Sequence, residues 1–583
     1  MNAFIWNIRT SDSFVLATVV ILAFFGSFLL FQNNIILVLL FFRKFVKILI
    51  KKSDTHELGL TMRCPNGLII IPSLLRNLDD YIAITSSVDS CATNGYPGQL
   101  VIITSIDGRY ENHALYEQLV KWVGDRNYGD AIQCYVSYRD VRGGKMMAIE
   151  TGVDHMKELV ASGIYPSFPE IYFSIDADTT LGDHALEHLV AKLLKRHPIT
   201  GDYRKGVSGK PCTHPSEIWQ GWRKFFTMSG QIYINVARQY LTANLGRYNW
   251  EAVARVNLPG ALYCTWSDVI LQAPRYMGYL ESLRFLDWIK WWFGFPPIKF
   301  SESDPTPLPE ALTGNTDDTS IAILVIVSTW KNGKLTFDFP TSPMKAFIRM
   351  LRELFVERSL GYAPEARAFT FTPPNFKGLW LQRVRWNSCR IECGQRFWRT
   401  FQYNWQAGFP YLFQLLNILL FVGGVVLCYV ILPFNGENVV VCVFVIGYSL
   451  RLLMNISRVF VALSLEEERV KSGFWRTAYC LPVAIWFDFI FGFAACFWGI
   501  VKDILWQGTN TRFVPENTLI AGKSQRIAIF FRLKRFISLC LTSVRRGNIP
   551  FGSWWFGWHA HAPYVDSGFK GWTSGKKSSY NLK

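Results

Sequence analysis

The stretch EIYFSIDADTTL, residues 170–181, decides how this chain is read. Tyr172, Phe173 and Ile175 have the aromatic and β-branched character of a buried strand. Asp176 and Asp178 follow where the apolar run stops. If the strand continues through them, its period of two sets both carboxylates on one face. Two like charges held side by side call for a cation between them or for full solvation.

Working outward, the neighbouring segments alternate between short apolar runs and helical patterns. GLIIIP is followed by a helical stretch from Asp79 to Asn94, and QLVIITSID by another from Asn112 to Val123. AIQCYVSY and a helix through GKMMAIETGVDHMKEL lead into IYFSIDAD. Strands alternating with helices predict an α/β domain with a mostly parallel sheet and helices on both faces. Ligands of such sheets bind beyond the carboxyl ends of the strands, where the DAD triplet lies.

The chain has 583 residues, half of them hydrophobic, and a formal charge of +17 from 61 Lys and Arg against 44 Asp and Glu. Apolar runs give much of that charge a membrane explanation and argue against nucleic acid as a partner. Phe14–Phe31 is uncharged and close to the roughly 20 residues that span a bilayer. NIILVLLFFRKFVKILIKK reads as a second span or as the continuation of one tilted helix. Arg43, Lys44, Lys47, Lys51 and Lys52 set the next domain on the cytoplasmic side. From Phe409 the runs return, with FPYLFQLLNILLFVGGVVLCYVILP, VVVCVFVIGYSLRLLMNISRVFVAL, and a segment interrupted by Pro482 and Asp488. The expected organisation is a membrane segment over 1–52, a cytoplasmic α/β domain over 53–386 and an interfacial amphipathic region over 387–408. A second membrane region over 409–505 and a basic cytoplasmic tail over 506–583 complete it. The chain is expected in the plasma (inner) membrane.

The twelve cysteines are scattered and form no CxxC pairs, which argues for reduced, mostly buried thiols. HALEH (184–188) formally matches a zinc-peptidase pattern, but no third ligand follows it, and an ordinary helix surface is the better reading. Aspartates at strand ends suit hard cations such as Mg²⁺ or Mn²⁺, which are commonly shared between carboxylates and phosphates. Asp107 ends another strand before Gly108. Lys145 opens a helix whose N-terminus and ammonium both suit phosphate.

The ordered set IIIP, SID, GGK, DAD, PGALY, TDD and QRVRW, followed by WQGTNTR, resembles the processive, membrane-integrated inverting glycosyltransferases of family 2. These include cellulose, chitin, hyaluronan and alginate polymerases. The resemblance covers most of residues 65 to 515 and implies a GT-A-type domain between membrane helices. It implies that Asp107 contacts the donor's nucleobase, and that Asp176 and Asp178 hold the metal and diphosphate with Lys145 in support. Asp318 would be the general base. Gln382, Arg385 and Trp386 would line the acceptor and diphosphate side, with Trp506, Thr511 and Arg512 near the leaving group. A UDP-sugar is the favoured donor and GDP-mannuronate the alternative. The other partners implied are a growing polysaccharide, the bilayer and accessory export proteins. PSLLRN replaces the family's usual Pro-x-Tyr-Asn-Glu, and extra residues follow Asp318 before LGYAPEARAFT.

Two other functions fit the same residues: a transferase adding one sugar to a lipid carrier, and an inactive membrane scaffold. Trp380, Trp386, Phe397, Trp398 and Trp405 are read either as a sugar-stacking platform or as an interfacial aromatic belt. Trp288, Trp291 and Trp292 form an apolar helix face for packing or membrane contact.

Overall fold

The computed structural model describes residues 64–140, 145–196, 201–214, 227–250, 260–283, 285–295, 317–331, 333–353, 359–373 and 375–409, with a few single positions besides. The apolar runs before residue 53 and beyond residue 412 lie outside the described residues, as do Trp506, Thr511 and Arg512. Among the described residues, no helix is long and apolar enough to cross a membrane.

The expected alternation is present. Strand β1 (Gly67–Ser73) leads through α1 (Leu78–Ala92) to β2 (Leu100–Asp107). The chain continues through α2 (His113–Gly124), β3 (Ile132–Arg139), α3 (Lys145–Ala161) and β4 (Ile171–Ser174). These four strands pair in parallel in the order β3-β2-β1-β4. Period-two alternation divides their side chains between two cores. Ile69, Ile71, Leu100, Ile102 and Phe173 face one core, while Leu68, Ile70, Val101, Ile103 and Tyr172 face the other. Burial on both faces explains why β1, β2 and β4 read as continuous apolar runs, while β3 at the sheet edge is mostly half-buried.

Beyond β4 the sheet becomes mixed. Next in the chain come β5 (Thr179–Leu181), α4 (Ala185–Leu193), β6 (Gly206–Thr213), α5 (Met228–Trp250) and β7 (Tyr263–Trp266). They are followed by α6 (Ser267–Ser282), α7 (Phe285–Trp292), α8 (Asp317–Val327), the hairpin β8 (Ser328–Lys331)–β9 (Lys334–Phe337), α9 (Pro343–Arg352) and β10 (Leu360–Thr370). Helices α10 (Phe376–Arg396) and α11 (Trp398–Tyr403) end the described chain. The eight-stranded sheet runs β3-β2-β1-β4-β7-β6-β10-β5, with β7 and β5 antiparallel to their neighbours.

This order forces the sheet to curl. In a flat sheet, four spacings would separate β4 from β5, roughly 19 Å. Only Ile175–Asp178 joins them. Two extended steps plus the tight turn closed by Thr179 N–H to Asp176 C=O, at 3.0 Å, reach at most about 14 Å. The sheet edge therefore folds back toward the end of β4. Asn94, after α1, clamps the returning chain: its Nδ2 donates to Gly182 C=O at 2.7 Å and its Oδ1 accepts from Leu186 N–H at 2.8 Å.

Helix α10 runs unbroken through Trp386, and Phe397, Phe401, Tyr403 and Tyr411 join the same core as β1 and α3.

Candidate functional site

The twin aspartates do not lie on a strand. Strand β4 ends at Ser174, and Asp176–Thr179 form a turn, so strand alternation is not what orients the two carboxylates. The turn is needed because the chain must swing from the sheet's centre to its folded-back edge within four residues. Asp176 and Asp178 thus project from one short turn at the carboxyl end of β4.

Lys145 opens α3, as its position after VRGG predicts, and donates from Nζ to Asp176 Oδ1 at 2.7 Å. Helix α3 is set against the sheet by two features. Ser105 Oγ donates to Ala148 C=O at 2.6 Å, and at Gly152 a Cβ would meet Ile70 Cγ2 at 2.8 Å. Both partners of the ion pair stay partly open, at 29% and 38% side-chain exposure. The backbone of Gly260, from the PGALY motif, passes directly over them. A Cβ there would lie 3.4 Å from Asp176 Oδ2 and 3.6 Å from Lys145 Nζ.

Asp107 sits at the carboxyl end of β2, 5% exposed, and Gly108 follows in the left-handed region at φ 86°. Strand β1 separates β2 from β4, so Asp107 is offset from the aspartate turn by about two strand spacings, roughly 10 Å, across the sheet, and lies further along the strand direction than Ser174. In the segment after β1, Arg76 pairs with both carboxylate oxygens of Asp80 at 2.8 and 2.9 Å.

The QRVRW helix is drawn to the site by α5, a helix that the sequence reading did not single out. Ile232, Val236 and Tyr240 form a stripe of α5 that packs on Leu379 and Trp380 of α10. Burial drives the Tyr240 phenol well above its ordinary range; Arg383 opposes that shift, while Asp178 and Asp176 add to it. Tyr240 therefore lies within electrostatic reach of α10 on one side and the aspartate turn on the other. The four-residue spacing of Ile232, Val236 and Tyr240 is the signal that would have found it.

Within α10, Gln382 is buried, and its Oε1 finds no hydrogen-bond partner among the described residues. Arg383, equally buried, lays its guanidinium over the Trp386 ring at 4.4 Å, and Trp386 itself is exposed. The side chain of Arg385 lies outside the described residues. Asp317 and Asp318 form the first turn of α8, and their side chains lie outside the described residues as well. Helix α8 packs on α10 through Ser320 Oγ, 3.8 Å from Cys393 Sγ. The TDD and QRVRW motifs thus belong to contacting helices.

Phe397 is fully buried and belongs to the core, so it cannot stack on a sugar; Trp405 packs on Trp291 and Trp292. His184 precedes α4 in the left-handed conformation rather than sharing its face, and its Nδ1 lies 3.1 Å from Glu187 Oε2. Among the described residues, no group of three or more His, Cys, Asp or Glu could hold a metal ion. The donor set at the turn is two hard carboxylates beneath an open backbone. Such a set fits Mg²⁺ or Mn²⁺ when water and phosphate oxygens complete the shell, and does not fit zinc.

No family model matches the chain, and no curated protein matches it. Among solved structures, the mannosyltransferase PcManGT from Pyrobaculum calidifontis, in complex with GDP-Man and Mn²⁺, aligns with 82% of this chain and 98% of its own. The identity is 13% and the TM-score 0.35. GalNAc-T7 with UDP, GalNAc and Mn²⁺ aligns with 26% of this chain and 24% of its own, at 15% identity and a TM-score of 0.17. At these scores neither likeness carries weight for this chain's activity.

Proposed function

We propose that the chain is an inverting glycosyltransferase with a GT-A-type domain, which extends a β-linked polysaccharide from a nucleotide-sugar donor and moves it across a membrane. The observation that carries the reading is the aspartate turn: Asp176 paired with Lys145, Asp178 two residues on, and Gly260 passing close to the pair without a side chain. A nucleoside diphosphate brings negative charge that a lone carboxylate pair would repel. Lys145 offsets part of that repulsion, and a bound Mg²⁺ or Mn²⁺ would neutralise the charge that grows on the leaving diphosphate. Asp107, two strands away at the same end of the sheet, is assigned to the nucleobase side of the donor.

In the reaction, an acceptor hydroxyl oxygen bonds to the anomeric carbon as the bond from that carbon to the diphosphate oxygen breaks. The hydroxyl proton passes to a carboxylate on the opposite side, a role assigned to Asp318. A carboxylate occupied with a metal is a poor base, so two separate acidic sites are needed. Attack from the face opposite the leaving group inverts the anomeric centre. Gln382, Arg385 and Trp386 are assigned to the acceptor and diphosphate side, and Arg512 to the leaving diphosphate. A UDP-sugar is the first choice of donor and a GDP-sugar the second. Processive extension and export are inferred from the QRVRW motif and the span-length apolar runs of the sequence.

The test separates binding from chemistry. Asp318→Asn should lower turnover by about 10² to 10⁴-fold, the usual contribution of a placed general base, while donor affinity stays near wild type. Asp178→Ala should instead weaken metal-dependent donor binding. Wild-type turnover in Asp318→Asn would remove the base assignment.

A further inference from the structure

Helix α9 (Pro343–Arg352) lies in the stretch after Asp318 where this chain is longer than the family it resembles, and the proposed reaction does not use it. Its residues divide cleanly at 100° per residue. Ala346 and Met350 are buried against the core. Centred about 130° round the helix from them, Met344, Phe347, Ile348 and Leu351 stand at the i, i+3, i+4, i+7 positions of one stripe and are 67%, 41%, 55% and 38% exposed. The stripe spans about 100° of the helix, and Arg352 and Lys345, both exposed, flank one edge of it. This is the reverse of a helix that buries its apolar face.

The helix is held in this attitude from both ends. Ser342 caps it by accepting from Lys345 N–H, and Pro343 opens its first turn. Arg349 donates to Asp338 Oδ2 and to Asp338 C=O, each at 2.8 Å. Glu353, just past the last turn, accepts from Ser359 N–H at 2.8 Å. The apolar stripe is therefore fixed outward and needs no ordering before it binds.

The surrounding surface continues the pattern. Trp291 Nε1 donates to Pro340 C=O at 2.6 Å, tying α7 to the segment that enters α9. The next two residues, Trp292 and Phe293, are 49% and 77% exposed. Trp292 packs on Trp405, just ahead of the uncharged run Phe409–Pro433.

We propose that α9 docks on the surface of an anionic lipid bilayer, with its apolar stripe set among the acyl chains and Lys345 and Arg352 against the headgroups. Three observations select lipid over a protein partner. The stripe is flanked by cations, acidic residues are missing from its first turn, and it adjoins chain whose next segment is of span length. The inference does not depend on the sugar-transfer reading, since it concerns where the domain sits rather than what it catalyses.

Photo-crosslinking of the full chain tests it. p-Benzoylphenylalanine replaces Phe347 or Ile348, with a control at exposed Glu117, in nanodiscs of phosphatidylcholine with or without 30 mol% phosphatidylserine (about that fraction being enough to make the surface anionic). Lipid adducts are expected at both test positions and not at the control. Neutralising the cations with Lys345→Gln or Arg352→Gln should lower adduct yield in the anionic discs by about fivefold per charge removed, and leave the neutral discs unaffected. These positions are exposed, so the fold should tolerate every change. Crosslinks only to another segment of the chain, only to a second copy, or an absence of lipid adduct would each overturn the proposal.

Discussion

Replacing Gly260 with alanine separates the site from the fold in one atom. The added Cβ would lie 3.4 Å from Asp176 Oδ2 and 3.6 Å from Lys145 Nζ, both ordinary contact distances. Gly260 does not adopt a left-handed conformation, so alanine brings no backbone strain. The unfolded chain loses freedom, which favours the folded state by about 0.4 to 1 kcal/mol. The thermal midpoint should therefore hold or rise slightly. Donor binding should respond very differently. A phosphate oxygen bonded to the Lys145 ammonium stands about 2.8 Å from it, and a divalent ion on Asp176 about 2.1 Å from its oxygen. A methyl carbon so close to both atoms excludes ligands from the Gly260 side. Losing one charge-assisted hydrogen bond there costs about 1.5 to 3 kcal/mol, or about 10 to 100-fold in Kd. Calorimetric titration of a nucleotide sugar with Mn²⁺, beside thermal unfolding, reads both quantities. Wild-type donor affinity in Gly260→Ala would refute the placement of the donor over the ion pair. A parallel fall in stability would mean that the glycine serves the fold instead.

Two further outcomes follow from the packing. Asn94→Ala removes both clamps on the returning chain, leaving the buried Leu186 N–H unpaired, while Gly182 C=O still accepts from Ala185 N–H at 3.2 Å. It should cost about 1 to 3 kcal/mol for that one orphaned group, measured by denaturant unfolding, and an unchanged midpoint would contradict the clamp. Burial pushes the thiols of Cys91 and Cys134 up to about 12 from an ordinary value of 9, with Asp89 adding to the shift at Cys134. Their neutral forms therefore contribute stability that is complete below pH 9 and is lost as pH climbs toward 12. Denaturant midpoints should fall over that window, and less steeply in Cys91→Ala and Cys134→Ala; identical slopes would contradict the burial effect.

The first half of the fold is legible because its causes are local. From Gly67 to Ser174, strands β1, β2 and β4 are apolar runs buried on both faces, and helices α1 and α2 carry their own caps at Asn77 and Asn112. The second half depends on distant partners. Strand β5 is three residues long and exists only because Ala368–Thr370 pairs with it, so no local pattern announces it. The same distance hides the turn that carries Asp176 and Asp178: a strand that simply continued would have looked identical in sequence. Lys145 was placed well by its glycine-rich approach to a helix start. Tyr240 and Arg383 were missed because their meaning comes from the packing of α5 on α10, elements that start 148 positions apart by the bounds Met228 and Phe376. Gly260 belongs to the PGALY motif, yet its close approach to Asp176 and Lys145 depends on an absent Cβ that only three dimensions reveal.

The most direct test of the central claim is to offer the purified full-length chain a panel of UDP- and GDP-sugars with Mg²⁺ or Mn²⁺, and to measure nucleoside diphosphate release and product length, each with and without EDTA. The account predicts release from one donor that needs the metal, is abolished by chelation, and is lost in Asp176→Asn. Release indifferent to EDTA, or no release from any donor, would contradict it.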